Sequence, residues 1–106
     1  MADVKKYFIY VVKPPRENFP DTITNEEAQI VGEHFYYLKD LLEKKIMLLV
    51  GRTGSGDFGI SVFECESLEM ATKIMANDPA VKKGVFTAEV FPFNLALFRN
   101  LEPEIK

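Results

Sequence analysis

Apolar residues along this chain gather in short runs whose period changes, and the changes mark the elements. Lys6-Tyr-Phe-Ile-Tyr-Val-Val-Lys13 is β-branched and aromatic, bounded by lysines and stopped by Pro14-Pro15, which predicts a strand. Residues Pro14 to Asp21 are rich in Pro, Asn and Asp and read as a loop. Thr24-Asn-Glu-Glu27 has the spacing of a capping box, in which the Thr24 hydroxyl accepts from the Glu27 amide while Glu27 reaches back. Ala28, Val31, Phe35, Leu38 and Leu42 then recur three and four apart, predicting the core face of a long helix that ends at Lys44-Lys45.

The period shortens after that helix. Ile46 to Val50 is continuously apolar, too short for a helix and suited to a buried strand; Ile60 to Glu66 reads as a third strand. Ser67 caps a second helix with Leu68, Ala71, Ile74 and Met75 inward, and Asn77-Asp78-Pro79 breaks it. Asp78 can cap a further short turn that starts at Pro79 and stops at Gly84, and Val85 to Phe91 reads as the fourth strand. The tail from Phe93 to Lys106 carries Leu95, Leu97, Phe98 and Leu101 and can pack as a helix or an arm.

The order is β-α-β-β-α-β, an α+β ferredoxin-like arrangement in which right-handed crossovers place both helices on one face of a four-stranded antiparallel sheet. A sheet covered on one face should alternate cleanly between apolar and polar, and these strands do not. Tyr7, Ile9 and Val11 oppose Phe8, Tyr10 and Val12, so both sides of the first strand are apolar. Two coverings are open: a second copy packed sheet to sheet in a two-fold homodimer, or the tail folded over the face.

At 106 residues, nearly half of them apolar, the chain is expected to form one domain with one core. A net charge of −3 with scattered lysines and arginines removes the electrostatic footprint of a nucleic-acid binder. The single cysteine, Cys65, allows no internal disulfide and no cysteine-based metal site, which suits a reducing cytoplasm. No apolar run approaches the ~20 residues of a membrane helix, so no membrane association is expected.

Few residues are candidates for chemistry. Gly54-Ser-Gly-Asp-Phe-Gly59 spells G-x-G-x-x-G, but that turn holds a pyrophosphate only between a strand and a helix; here a strand follows, so the stretch reads as a glycine-rich hairpin loop able to act as a flap. No cofactor or metal is expected. His34, the only histidine, falls roughly 80° from the centre of the predicted core stripe, flanked by Ile30, Tyr37 and Leu41. It reads either as a satisfied core residue or as a general acid or base at a cavity edge. Asp78 reads either as a helix cap or as part of a site. Arg52 can bind an anionic substrate or merely hydrate its loop. Tyr10 and Tyr37 read as packing residues, with the alternative that a phenol hydrogen-bonds a ligand.

Phe63-Glu-Cys-Glu-Ser-Leu-Glu-Met-Ala, Asn77-Asp-Pro-Ala-Val-Lys-Lys-Gly-Val85 and Val90-Phe-Pro-Phe93 resemble the second half of YCII-related proteins over a span of about residues 5 to 93. The resemblance implies a dimeric α/β barrel with a cavity between the sheet and the first helix. It also implies a histidine and an aspartate at the chemical centre, which correspond here to His34 and Asp78. Relatives of this kind include cofactor-independent dehydrochlorinases and lactone isomerases, so a lyase or isomerase moving protons on a small cyclic molecule is one expectation. A non-catalytic small-molecule-binding module is the other. The sequence departs from the pattern at Gly51-Arg52, where many members carry Gly-Pro, and in its long Pro14–Asp21 insertion.

Overall fold

The computed structural model describes residues 6–99. Its four strands are β1 (Lys6–Lys13), β2 (Met47–Arg52), β3 (Gly59–Cys65) and β4 (Thr87–Phe93). They form one antiparallel sheet in the order β2-β3-β1-β4, the ferredoxin-like arrangement expected from the element order. The long helix α2 (Asn25–Glu43) and the helix α3 (Leu68–Ala76) connect the strands, and two short helices, α1 (Phe19–Thr22) and α4 (Pro79–Lys82), precede and follow them. Helix α1 lies inside the insertion expected to be a loop. Residues 94–99 have no regular structure, and the rest of the predicted tail lies outside the described residues.

Alternation along the middle strands decides which face the helices cover. Phe8, Tyr10 and Val12 are buried and meet Leu38 and Leu41 of α2 and Ala71 of α3 in one core with Met47 and Phe63. Tyr7, Ile9 and Val11 point the other way and are half-buried. Across the sheet that second face continues through Val62, Leu49, Phe91 and Phe93, read from the pairing of Ile9 with Val62 and Phe91, of Leu49 with Val62 and of Tyr7 with Phe93. Leu49 and Phe91 are each more than two-fifths exposed. The bare apolar face expected from the sequence is present.

Helix α2 begins as its sequence dictates. The Thr24 hydroxyl accepts from the Glu27 amide at 3.1 Å, and the Glu27 carboxylate accepts from the Thr24 amide at 3.0 Å. Its inward face differs from the predicted stripe. Leu38 and Leu41 are buried, but Phe35 is 59% exposed and Leu42 50%, and Ala28 is exposed as well. The helix is rotated toward the His34 flank. Val31, His34, Phe35 and Leu38 all line a cavity, so part of the apolar stripe faces that space instead of packed side chains.

The fourth strand lies further along the chain than expected, at Thr87–Phe93. Val85 and Phe86 precede β4, because both of their amides donate to the Ala80 carbonyl, at 2.9 and 3.0 Å, and so finish the turn after α4. The Gly84 φ of 79°, in the left-handed region that glycine occupies freely, makes that ending possible.

Candidate active site

Three chain segments far apart in sequence meet behind His34. Asp78 sits where α3 has ended and α4 begins, and its carboxylate Oδ1 accepts from the Ala80 amide at 3.0 Å as an N-cap. That carboxylate is completely buried. The same carboxylate lies 2.8 and 2.7 Å from Nδ1 of His34, which α2 carries across the top of the sheet. On its Oδ2 it also accepts from the Tyr10 hydroxyl at 2.7 Å, directed upward from the middle of β1. The cap and the site are one residue; the two readings open for Asp78 in the sequence are not exclusive.

Three donors on one buried carboxylate explain why a charge can be held there, since an ionised acid in the interior needs partners for its lone pairs. A carboxylate accepts, so Nδ1 of His34 carries the hydrogen and the neutral ring keeps its lone pair on Nε2. Among the described residues Nε2 has no hydrogen-bond partner, and no buried side-chain nitrogen or oxygen lacks one. Nε2 is therefore in contact with solvent space, and the space beside His34 is the cavity. The ring is further held by the edge of Phe86, with centroids 5.3 Å apart and planes at 88°.

Tyr10 and Tyr37 are placed differently from the expectation that they reach a ligand. Neither lines the cavity. Tyr10 is fully buried with its hydroxyl committed to Asp78; burial and then the neighbouring carboxylate drive its ionisation far above the usual phenol range. Ser61, the cross-strand neighbour of Tyr10, lines the cavity. The Tyr37 hydroxyl donates to the Ile74 carbonyl at 2.6 Å and ties α2 to α3, and burial, with a smaller contribution from Asp78, pushes its pKa up to about 12. Both phenols support the site from behind.

The cavity has a volume of about 480 Å³ and opens between α2, the insertion and the β2–β3 turn. That size lies in the ordinary range for small-molecule sites, and its walls are mainly apolar, as such sites are. Arg52 stands on its rim at the end of β2. The insertion forms one wall. Phe19 is buried there, edge-on to Phe86 at 5.8 Å, and Arg16 stacks over it at 5.2 Å. Arg16 also clamps the insertion to α2, with 2.9 and 2.7 Å bonds to Glu27 and further bonds to Thr22.

The glycine-rich stretch runs from strand to strand and opens no helix, so the pyrophosphate reading fails on structure as on sequence. Its turn is also tied rather than open. Thr53 and Phe58 close it at 3.0 Å, and the Thr53 hydroxyl accepts from the Asp57 amide at 2.8 Å. Gly56 is required, at a φ of 79°, because a Cβ there would stand 2.8 Å from Pro20 of the insertion. Among the described residues no group of three or more histidine, cysteine or acidic side chains is placed to hold a metal ion, and no helix is long and apolar enough to cross a membrane.

The sequence profile of the YCII-related domain matches residues 6–94. The chain belongs to the YCII-related family. Among solved structures, a similar one is 5-chloro-2-hydroxyhydroquinone dehydrochlorinase from Burkholderia phenoliruptrix AC1100, in complex with 2,5-dihydroxybenzoquinone. The two share a TM-score of 0.62 at 18% identity over 84% of this chain and 95% of that one, a likeness of fold. No curated protein matches the sequence.

Phe19, Phe86 and Ser61 were not singled out by sequence reasoning as parts of the site. Nothing in their spacing distinguishes them from core residues. Tyr10 could have been placed correctly: a phenol between Phe8 and Val12 on the core-facing register needs a buried acceptor, and Asp78 is the buried carboxylate that supplies it.

Proposed function

We propose that this YCII-related protein is a cofactor-independent lyase or isomerase that transfers a proton on a small cyclic molecule, with His34 as the base. The observation that carries this reading is the pairing of a buried, triply bonded Asp78 with Nδ1 of His34, which leaves the Nε2 lone pair at the wall of an apolar cavity. Asp78 fixes the tautomer and ring orientation and balances the imidazolium that forms, the division of labour of a base and its orienting acid. Apolar walls keep water from competing for the base. The proton returns to the product, or leaves with a departing anion, from the same Nε2.

The fold shared with a dehydrochlorinase supports elimination of chloride from a hydroxylated ring as the first reaction to assay. Incubation with 5-chloro-2-hydroxyhydroquinone, followed by chloride release, tests it directly. His34→Gln, which keeps size and polarity but has no basic lone pair, should lower turnover by about 10²–10⁴-fold with the fold intact. Unchanged turnover in that variant would remove the base role. A non-catalytic binding module is the second reading, favoured if the wild-type protein binds 2,5-dihydroxybenzoquinone and turns over none of these rings.

The exposed face of the sheet supports a two-fold dimer in which Leu49, Phe91 and Phe93 meet a second copy. Light scattering at micromolar concentration distinguishes that dimer from a single 12.1 kDa chain.

A further inference from the structure

Arg16, inside the insertion, and Arg52, on the cavity rim at the end of β2, are used in opposite ways. Arg16 spends all three of its guanidinium nitrogens: Nε on the Thr22 hydroxyl, Nη1 on Glu27, and Nη2 on Glu27 and the Thr22 carbonyl. Arg52 makes one hydrogen bond, from Nη1 to the carbonyl of its own neighbour Thr53 at 3.2 Å, and has no carboxylate partner among the described residues. Nε and Nη2 remain available as a flat, fork-shaped donor edge.

The setting of that edge is selective. Among the described residues Arg52 and His34 are the ionisable side chains lining the cavity, and no aspartate or glutamate lines it, although the chain as a whole carries a net charge of −3. Asp78 stands behind His34 and is already saturated with donors. Arg52 pairs across the hairpin with Gly59, where a Cβ would lie 3.7 Å from that of Arg52 and 3.3 Å from Val12. Gly56 likewise lets the turn close against Pro20 with the Arg52 guanidinium alongside. Insertion, turn and arginine thus meet at one corner of the cavity mouth.

We propose that Arg52 is the anion-binding residue of this cavity, and that its ligands are small ring compounds bearing a carboxylate or an ionised hydroxyl. This rests on the proton-transfer reading only in placing both residues at one ligand. A charged oxygen takes the open edge of the guanidinium, the ring lies on the apolar walls, and the ring's far side faces Nε2 of His34. The arrangement selects for charge because a charged oxygen forms a charge-assisted, two-pronged pair with the guanidinium, where an uncharged analogue makes only ordinary hydrogen bonds.

The single histidine makes the test independent of any reaction, since the imidazole signals in an NMR spectrum belong to His34 alone. Benzoate and its uncharged isostere benzamide are titrated into the wild-type chain and into Arg52→Met, which keeps the length of the side chain and removes its charge. Benzoate should shift the His34 signals saturably and bind about tenfold or more tightly than benzamide, and Arg52→Met should bring the two within about twofold. Arg52→Lys should restore part of the preference, as a charge without the fork. Equal binding of the two probes to the wild type, a preference that survives Arg52→Met, or no saturable benzoate binding would each overturn the proposal. A charge preference seen in the backbone amide signals and lost in Arg52→Met, but with His34 signals unmoved, would uphold it, while removing His34 from the ligand and with it the proton-transfer reading.

Discussion

The two faces of the sheet solve opposite problems. On the helix-covered face, every buried side-chain polar atom among the described residues is answered: the Tyr10 hydroxyl, Nδ1 of His34 and the Ala80 amide all bond to Asp78 beside the core of Phe8, Val12 and Phe63. On the open face the side chains are apolar and partly wet, with Leu49, Phe91 and Phe93 a third or more exposed. Burying a polar cluster costs desolvation that only full pairing offsets, so its presence marks where chemistry is held in place. Leaving apolar surface in water forgoes stabilisation that only a partner can recover, so its presence marks where another surface belongs. Polarity inside and apolarity outside are both departures from the ordinary globule, and each points to a task.

The sharpest way to break this comparison is at Asp78. Asp78→Ala removes the cap of α4 and strands the Tyr10 hydroxyl, and should cost about 3–5 kcal/mol in denaturant unfolding, near the upper end for one substitution. A cost below about 1 kcal/mol would show that the buried set does not act as a unit. On the open face, Phe91→Asp should behave in the contrary way. In the single chain it is a change on an exposed position worth about 0.5 kcal/mol or less. If the face pairs two copies, however, the same substitution shifts the mass seen by light scattering from dimer to monomer.

Smaller effects test the supports. Tyr37→Phe loses the bond to the Ile74 carbonyl and should cost about 1 kcal/mol. The wild-type chain should also lose stability as pH rises from about 10 toward 12. In that window Tyr37 of the unfolded chain ionises while burial keeps the folded phenol protonated, so the folded state holds the extra proton and rising pH favours unfolding. Tyr37→Phe should make this alkaline decline shallower, the remainder being carried by the more deeply buried Tyr10, as measured by chemical denaturation at a series of pH values; an unchanged slope would mean the Tyr37 phenol is not sequestered.

The smallest effect belongs to the insertion. Hydrogen bonding from Arg16, then from the Thr24 amide, holds the Glu27 carboxyl down at about 2. Because its folded value is depressed, its contribution is present above the ordinary carboxylate range and fades as pH falls from about 4.5 toward 2. Glu27→Gln should therefore differ from the wild type at neutral pH and converge with it in acid. The pair lies at the surface, with the Arg16 side chain 38% and that of Glu27 19% exposed, so solvent screening should keep the difference at neutral pH slight.

Much of this molecule was legible in its sequence. Strand β1 has the bounds read from its lysines and prolines, the Thr24–Glu27 box opens α2, and Ser67 and Asp78 cap the helices they precede. Those features are local: a cap or a strand edge is decided by residues within one turn, so the chain's order of letters is enough to show them. The strong resemblance of the second half carried the family, and the apolar character of both sides of β1 foretold an unfilled sheet face. The inward face of α2 differs from the predicted stripe because periodicity reports where apolar residues lie on a helix and not what lies opposite them. Phe35 is largely exposed and lines a cavity, and a cavity leaves no period of its own.

What only tertiary structure decided is the convergence of Tyr10, His34 and Asp78, separated by 68 positions between the first and the last and by 44 between the histidine and its carboxylate. Each had an adequate local explanation as packing, core or cap. Hydrogen bonding acts through space at under 3 Å, so the role of each side chain was fixed by which partner the sheet and α2 brought to it. Arg16 and Arg52 make the same point from one residue type. Sequence supplied one guanidinium group inside the insertion and another at the end of β2; the fold gave the first a carboxylate and set the second at the rim of an apolar cavity.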